Sequence, residues 1–146
     1  LTSSPFYYAA SYTWGVPGSL QEIELNGVAH SIQANLFDFL QQLRLADATV
    51  TLWVDALCIS QNDNSEKSIQ VPLMGLIYSN AKSVFVWLGP QADGSEEYFD
   101  SFNQAPSKSL KKVDSDARNP RSAAIAFLQR REYWTRTWII QELVLA

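Results

Sequence analysis

The sequence predicts an α/β domain built around a parallel sheet, on three observations. A βαβ pattern lies between Leu52 and Gly89: an apolar run, a polar loop, a helical pattern and a second apolar run. Such a unit normally joins neighbouring parallel strands that are buried on both faces. An aromatic-rich strand pattern precedes it at residues 7–14, and further helical patterns lie before and after it. Together these features indicate a parallel sheet flanked by helices.

Composition narrows the class of protein. With 146 residues, 47% of them hydrophobic and 18% charged, the chain is expected to form one domain, 1–146. A net charge of −4 without a dense Lys/Arg cluster argues against nucleic acid as a partner. No apolar run approaches the roughly 20 residues of a membrane helix. One cysteine and one histidine leave no multi-ligand metal site, so no metal is predicted. The single cysteine also excludes an internal disulfide, which suits a reducing cytoplasm.

The ends of the sequence also carry a prediction. The chain starts at Leu1 without a signal-peptide pattern and stops at Ala146 inside an apolar helical pattern. We therefore expect a fragment of a longer chain, truncated at the C-terminal end of its fold.

The first third of the chain predicts a strand, a hairpin and a helix. The strand at 7–14 ends at Gly15, and Asn26-Gly27 between alternating runs predicts a small exposed hairpin at about 21–33. Asn35 is a candidate N-cap for a helix that ends at Asp47. The apolar face of that helix comprises Leu36, Phe39, Leu40 and Leu43.

The central unit predicts two strands, at 50–54 and 83–88, around one helix. Asp63 and Glu66 have capping-box spacing at the start of that helix. Pro72 is unfavourable in a helix interior, so the helix either kinks there or begins only at Gln70. Its predicted apolar stripe is Ile69, Leu73, Leu76 and Ile77.

The last third predicts helices around a polar insertion. Residues 91–119 are expected to be a variable surface excursion with a short helix at about 96–102. Asn119-Pro120 predicts the start of a helix that runs to about Arg131. A final helix is predicted from about Thr135 to the end, and its apolar character at 138–146 predicts that it is buried.

Five blocks, in order, resemble a known family. They are Tyr8 to Gly15 (YAASYTWG), Leu52 to Gln61 (LWVDALCISQ), Ile77 to Ala81 (IYSNA), Val86 to Gly89 (VWLG) and Arg136 to Leu143 (RTWIIQEL). In this order they resemble the heterokaryon incompatibility (HET) domain of filamentous fungi over nearly the whole chain. Two departures are Ala10, where leucine is usual, and Ser60, where asparagine is usual, which weakens any role that needs an amide at position 60.

The resemblance implies an effector of programmed cell death triggered when genetically different hyphae fuse, usually attached to other signalling modules. HET domains are held to be remote relatives of Toll/interleukin-1 receptor (TIR) domains, which implies a flavodoxin-like sheet and self-association. Several TIR domains cleave NAD with a glutamate in a W-x-x-x-E pattern. Trp138 and Glu142 match that pattern, so the resemblance implies that Glu142 is catalytic and that NAD is a substrate, with no bound cofactor.

The chemistry of a buried carboxylate leaves two interpretations of Glu142. Cleavage of an N-glycosidic bond develops oxocarbenium character on the ribose, which a nearby carboxylate stabilises. Trp138 and Glu142 are four residues apart, so they share one helix face. Alternatively, Glu142 forms a structural pair with Arg136, Arg130 or a helix end, since structural ion pairs also hold buried carboxylates.

The rest of the predicted pocket comes from strand ends, where ligands bind in parallel sheets. Asp55 either binds ribose hydroxyls or caps the following loop. Ser11, Trp14 and Gly15 end the first strand, and Trp14 either stacks on a base or belongs to the core. Trp138 completes the pocket.

The last predictions concern Cys58, His30 and a rival function. Cys58 is predicted to be a buried, inert thiol rather than a nucleophile, and His30 to be exposed in the hairpin. The rival to the hydrolase is a non-enzymatic assembly module, in which the hairpin and the Trp/Tyr-rich blocks make homotypic contacts.

Overall fold

The chain folds into a three-stranded parallel sheet with helices on both faces and a separate antiparallel hairpin. The computed structural model describes residues 6–44, 49–92, 95–96, 125–126 and 128–144. The strands are β1 (Tyr8–Tyr12), β2 (Leu20–Leu25), β3 (Val28–Gln33), β4 (Leu52–Trp53) and β5 (Ser83–Trp87). The α-helices are α1 (Ala34–Leu43), α2 (Asp55–Cys58), α3 (Asn64–Asn80) and α4 (Ile139–Val144), and a 3-10 helix spans Glu132–Thr135.

The sheet has the order β4-β1-β5, so the first parallel strand lies between the second and the third. Tyr8 pairs with both Leu52 and Ser83, which brings the strands into register at the same level. This is the order with which a doubly wound, flavodoxin-like sheet begins. The predicted α/β class with a flanked parallel sheet and a hairpin is thereby confirmed.

Alternation along β1 sends its side chains to two different layers. Ala10 and Tyr12 join a cluster with α1, in which Leu36 and Phe39 are buried. Ala9 faces α3 and packs with Met74 and Tyr78. The Tyr78 hydroxyl donates to the Ala10 carbonyl at 2.8 Å, which ties α3 to the central strand. Ser11 follows Ala9 by two residues and so points to the α3 side.

The N-terminal predictions hold apart from one cap. The hairpin and the apolar face of α1 are as expected. Asn26 and Gly27 form the turn of the hairpin, with φ angles of 54° and 79°. Asn35 is not the N-cap: Gln33 is, without a side-chain bond. The Asn35 amide instead donates to the Thr13 carbonyl at 2.5 Å and accepts from Trp87 Nε1 at 2.9 Å. It therefore joins α1 to the ends of β1 and β5. The predicted helix end at Asp47 lies outside the described residues.

The central helix differs from its prediction in two ways. Asp63 caps it by accepting from the Ser65 and Glu66 amides, as its spacing indicated. However, α3 begins at Asn64 and continues through Pro72, because the Ser68 carbonyl that loses its helical donor belongs to an exposed residue that water can reach. The predicted stripe is also wrong, since Ile69, Leu73 and Leu76 are exposed while Met74 and Tyr78 are buried.

The C-terminal part differs most from expectation. The final helix begins at Ile139 rather than Thr135, because Arg136 adopts an extended conformation after the 3-10 helix. It is not buried: α4 contacts α3 but leaves Ile140 65% and Val144 72% exposed. Residues 95–96, 125–126 and 128–129 are helical, whereas Arg130 forms a turn and Arg131 a bend, so the second helix ends before the predicted Arg131. The other residues of the predicted helices at 96–102 and 120–131 lie outside the described residues. Among described residues, no helix is long and apolar enough to cross a membrane.

Candidate functional site

A cavity of about 460 Å³ opens at the carboxyl end of the parallel strands. Its walls come from the segment after β1, the start of α2, the inner face of α3 and the C-terminal part of the chain. The lining residues are Thr13, Trp14, Gly15, Asp55, Ile59, Gln61, Lys67, Val71, Met74, Glu132, Arg136, Thr137, Trp138 and Glu142. This is the edge at which doubly wound sheets bind ligands.

Five of the six predicted site residues line this cavity, and the sixth contacts one of them. Trp14, Gly15, Asp55, Trp138 and Glu142 are wall residues. Ser11 is fully buried and donates a hydrogen bond to Glu142 Oε2. The structure thus places the carboxylate from the last helix in the same hollow as the tips of the first two parallel strands.

Glu142 is 0% exposed and is bound by a bidentate ion pair. Arg136 Nη1 donates to Oε2 and Nη2 donates to Oε1, both at 2.7 Å. Burial alone would lower the pKa of Arg136, but its hydrogen bonds to Glu142 and the carboxylate charge raise it above the ordinary value. The arginine is therefore a permanent cation, and among the partners considered for Glu142, Arg136 is the one observed.

A chain of hydroxyl groups extends this ion pair towards the sheet. Because the single Ser11 hydroxyl proton is directed to Glu142, the Tyr133 hydroxyl must donate to Ser11 Oγ, 2.5 Å away. The Arg136 guanidinium lies 5.6 Å from the centre of the Tyr133 ring, a cation–π contact. Burial, and secondarily the charge of Glu142, raise the pKa of Tyr133, so this hydroxyl keeps its proton at neutral pH.

Of the two roles that the sequence left open to Asp55, the structure contains the capping interaction, and binding of ribose hydroxyls stays a prediction. Its Oδ1 accepts from the Ala56 amide at 2.8 Å, which is the local capping interaction. Its Oδ2 accepts from Trp14 Nε1 at 3.0 Å and so holds the indole at the cavity wall. Trp14 is 45% exposed, so it is not a core residue. Its face is available to a ligand.

Gly15 has a structural reason to be glycine. Its φ is +83°, and a Cβ placed on it would lie 3.1 Å from the Asn35 Cβ. The left-handed backbone turns the chain away from β1 at the cavity and brings α1 close.

A second cavity of about 620 Å³ shares Trp14, Ile59 and Gln61 with the first and contains the single cysteine and histidine. Cys58 is exposed, so the prediction of a buried thiol is wrong; it occupies the last, outward-facing position of the short helix α2. His30 is exposed, as expected. Within the described ranges, no group of three or more His, Cys, Asp or Glu residues could hold a metal ion.

Sequence reasoning missed three participants. Tyr133, which is hydrogen-bonded to Ser11, and Glu132, which lines the cavity, lie in one 3-10 helix, and no sequence motif marks either of them. Lys67 lines the cavity from α3, and only the true register of that helix would have shown it facing inward.

These observations define a doubly wound α/β protein with a carboxylate-containing cavity at the carboxyl edge of its sheet. A family model described as "Heterokaryon incompatibility protein (HET)" matches residues 7–142. The chain is also 34% identical over 126 residues to "Heterokaryon incompatibility protein 6, OR allele" of Neurospora crassa. That match covers 77% of this chain and 18% of the relative, so the chain spans less than a fifth of that protein's length. No solved structure gives a significant match. The chain belongs to the heterokaryon incompatibility family.

Proposed function

We propose that the chain acts in heterokaryon incompatibility as an effector of fungal cell death, and that its cavity cleaves the N-glycosidic bond of NAD or a related nucleotide. Family membership supports the first part. The observation that carries the second is the position of Glu142, a buried carboxylate in the wall of the cavity at the strand ends. The kinship with TIR domains remains part of this proposal.

In this reaction water replaces nicotinamide at C1′ of the ribose. The bond between C1′ and the ring nitrogen breaks, its electron pair leaves with nicotinamide, and water adds to the ribosyl cation and releases a proton. A carboxylate beside C1′ stabilises the cation through its charge. Trp14 and Trp138, which are 45% and 46% exposed, offer faces on which the rings of a nucleotide can stack.

The network around Glu142 limits how a ligand engages it. Three donors occupy the carboxylate: two nitrogens of Arg136 and the Ser11 hydroxyl. A carboxylate has about four acceptor positions, so one position on Oε1 remains for a sugar hydroxyl. A ligand that reaches it keeps the ion pair intact.

The test is release of nicotinamide from NAD by the full chain, with self-association enforced by a fused dimerisation module. We expect Glu142→Gln to lower the rate by about 100-fold or more, by analogy with the removal of other groups that stabilise transition-state charge. Asp55→Asn, which keeps an acceptor oxygen for Trp14, should weaken NAD binding. Glu24→Gln on the exposed hairpin is the matched control. If wild-type protein that is folded and associated releases no nicotinamide, the hydrolase proposal fails.

A second candidate function is supported by a different observation. The apolar side chains of Ile69, Leu76, Ile140 and Val144 are exposed on the contacting helices α3 and α4. Exposed apolar clusters are typical of protein–protein contacts. A non-enzymatic module that assembles with copies of itself would use this surface, and Ile140→Glu would then abolish assembly, measured as a change from oligomer to monomer in solution.

A further inference from the structure

The two cationic side chains in the wall of the cavity, Arg136 and Lys67, differ in their ion-pair partners. Arg136 is committed to Glu142 through both terminal nitrogens. Lys67 lines the same cavity, and no carboxylate of the described residues lies within ion-pair distance of its ammonium group, since Arg136–Glu142 is the ion pair found there. One positive charge of the cavity is therefore available to a ligand.

The register of α3 directs Lys67 into the cavity. Lys67, Val71 and Met74 recur at helical spacing and all line it, and the same face continues to buried Tyr78. Lys67 is partly buried, whereas most charged residues on the outer surface of a helix are exposed. A partly desolvated ammonium group is costly without a partner. The helix thus presents a cation to the cavity instead of to bulk solvent.

The charges of the wall are also separated by chain segment. Asp55 comes from the start of α2 and Glu132 from the 3-10 helix, while Lys67 comes from the second turn of α3. Since Arg136 is paired with Glu142, Lys67 is the cation of the described wall that an anionic group of a ligand can bind, and the carboxylates of Asp55 and Glu132 disfavour a ligand that is anionic throughout.

We propose that Lys67 binds a phosphate group of the ligand in this cavity. The assignment rests on the cavity being the nucleotide site proposed above, and it adds the residue that recognises the phosphates. Lysine is a common phosphate ligand as a flexible point charge. Trp14, whose indole is fixed by Asp55, is positioned to stack on a ring of the same ligand.

The experiment measures binding of two probes to the full chain by calorimetry: ADP-ribose, which carries two phosphates, and adenosine, which carries none. We expect Lys67→Gln to weaken ADP-ribose binding by about tenfold or more, the usual effect of a lost charge-assisted hydrogen bond. Adenosine binding should change by less than about twofold. Lys67→Arg should restore most of the affinity for ADP-ribose, and higher salt should weaken ADP-ribose binding only.

The control is Lys82→Gln, which removes the same charge from an exposed lysine over the Tyr8 ring, outside the cavity. It should leave both affinities unchanged. Equal ADP-ribose affinity in wild type and Lys67→Gln, an equal loss for adenosine, or no ADP-ribose binding by wild type overturns the inference. If ADP-ribose binds in a Lys67-dependent way but nicotinamide is never released from NAD, the hydrolase proposal fails and this inference stands.

Discussion

The two faces of the parallel sheet are built on different principles. On the α1 face, apolar residues are inside: Leu36 and Phe39 are buried against Ala10 and Tyr12. On the α3–α4 face, the buried centre also contains a carboxylate, an arginine and two hydroxyl groups, while Ile140 and Val144 are exposed. The buried residue of α4 is thus Glu142, held by its ion pair with Arg136, while Ile139 and Leu143 of the same helix are half-buried.

That difference has an energetic meaning. Apolar burial stabilises a fold in proportion to the area removed from water. A buried ion pair contributes little net stability, because desolvation offsets the attraction, but removing one partner is strongly destabilising. Apolar burial therefore contributes stability on both faces, and more residues take part in it on the α1 face, whereas the polar network of the α3–α4 face fixes the geometry of the cavity. Three changes test this contrast.

The largest effect is expected from Arg136→Met. It leaves the Glu142 charge buried without its partner, so the free energy of unfolding, measured with urea, should fall by about 3–5 kcal/mol. Adding Glu142→Gln should recover most of that loss, because no buried charge then remains. Arg44→Met, at the exposed end of α1, is the control and should change stability by less than about 0.5 kcal/mol. If the double variant is no more stable than the single one, the ion pair does not have this role.

The second prediction compares a leucine-to-alanine substitution on the α1 face with the same substitution on the outer surface of α3. Leu36 is 1% exposed, so Leu36→Ala should lower the free energy of unfolding by about 2–5 kcal/mol. Leu76 is 62% exposed, so Leu76→Ala should cost less than about 0.5 kcal/mol. A loss of similar size for both would show that the outer face of α3 is packed in solution and would remove the contrast between the faces.

The smallest effect expected for a single residue is on the pH dependence of the free energy of unfolding. Burial, then the charge of Asp55, raise the pKa of Tyr12, and burial, then the charge of Glu142, raise the pKa of Tyr78. Because these folded-state pKa values exceed the ordinary value of 10.0, the folded chain holds more protons than the unfolded chain above about pH 10. Stability is therefore complete below pH 10 and falls above it, by about 1.4 kcal/mol per pH unit for each tyrosine.

Urea unfolding across pH 9 to 11 measures this slope, and single variants assign it to each face. Tyr12→Phe removes the contribution of the α1 face, and Tyr78→Phe removes that of the α3 face. Each should reduce the total loss of stability between pH 9 and pH 11 by about 1.4 kcal/mol. A slope that is unchanged in either variant contradicts burial of that tyrosine.

Elements defined by local rules were predictable. The hairpin followed from Asn26-Gly27 and the cap of α3 from Asp63. In each case the signal lies within a few residues of the structure that it specifies. Predictions failed where a side-chain contact prevailed over the local rule. Asn35 does not cap α1, because its amide bonds to Thr13 and Trp87, and the final helix begins only at Ile139, after the extended Arg136 that binds Glu142.

By itself, the sequence determined the class of fold and the family, because βαβ patterning and ordered motif blocks are properties of the linear chain. It named five of the residues that line the cavity but not Lys67 or Glu132. Only the tertiary structure decided how those residues are bonded. It committed Arg136 to Glu142, joined Tyr133 to Ser11 across more than 120 residues, and turned Lys67 rather than Leu73 towards the cavity. Periodicity shows that a helix has two faces, but only the surface against which it packs determines which face is inside.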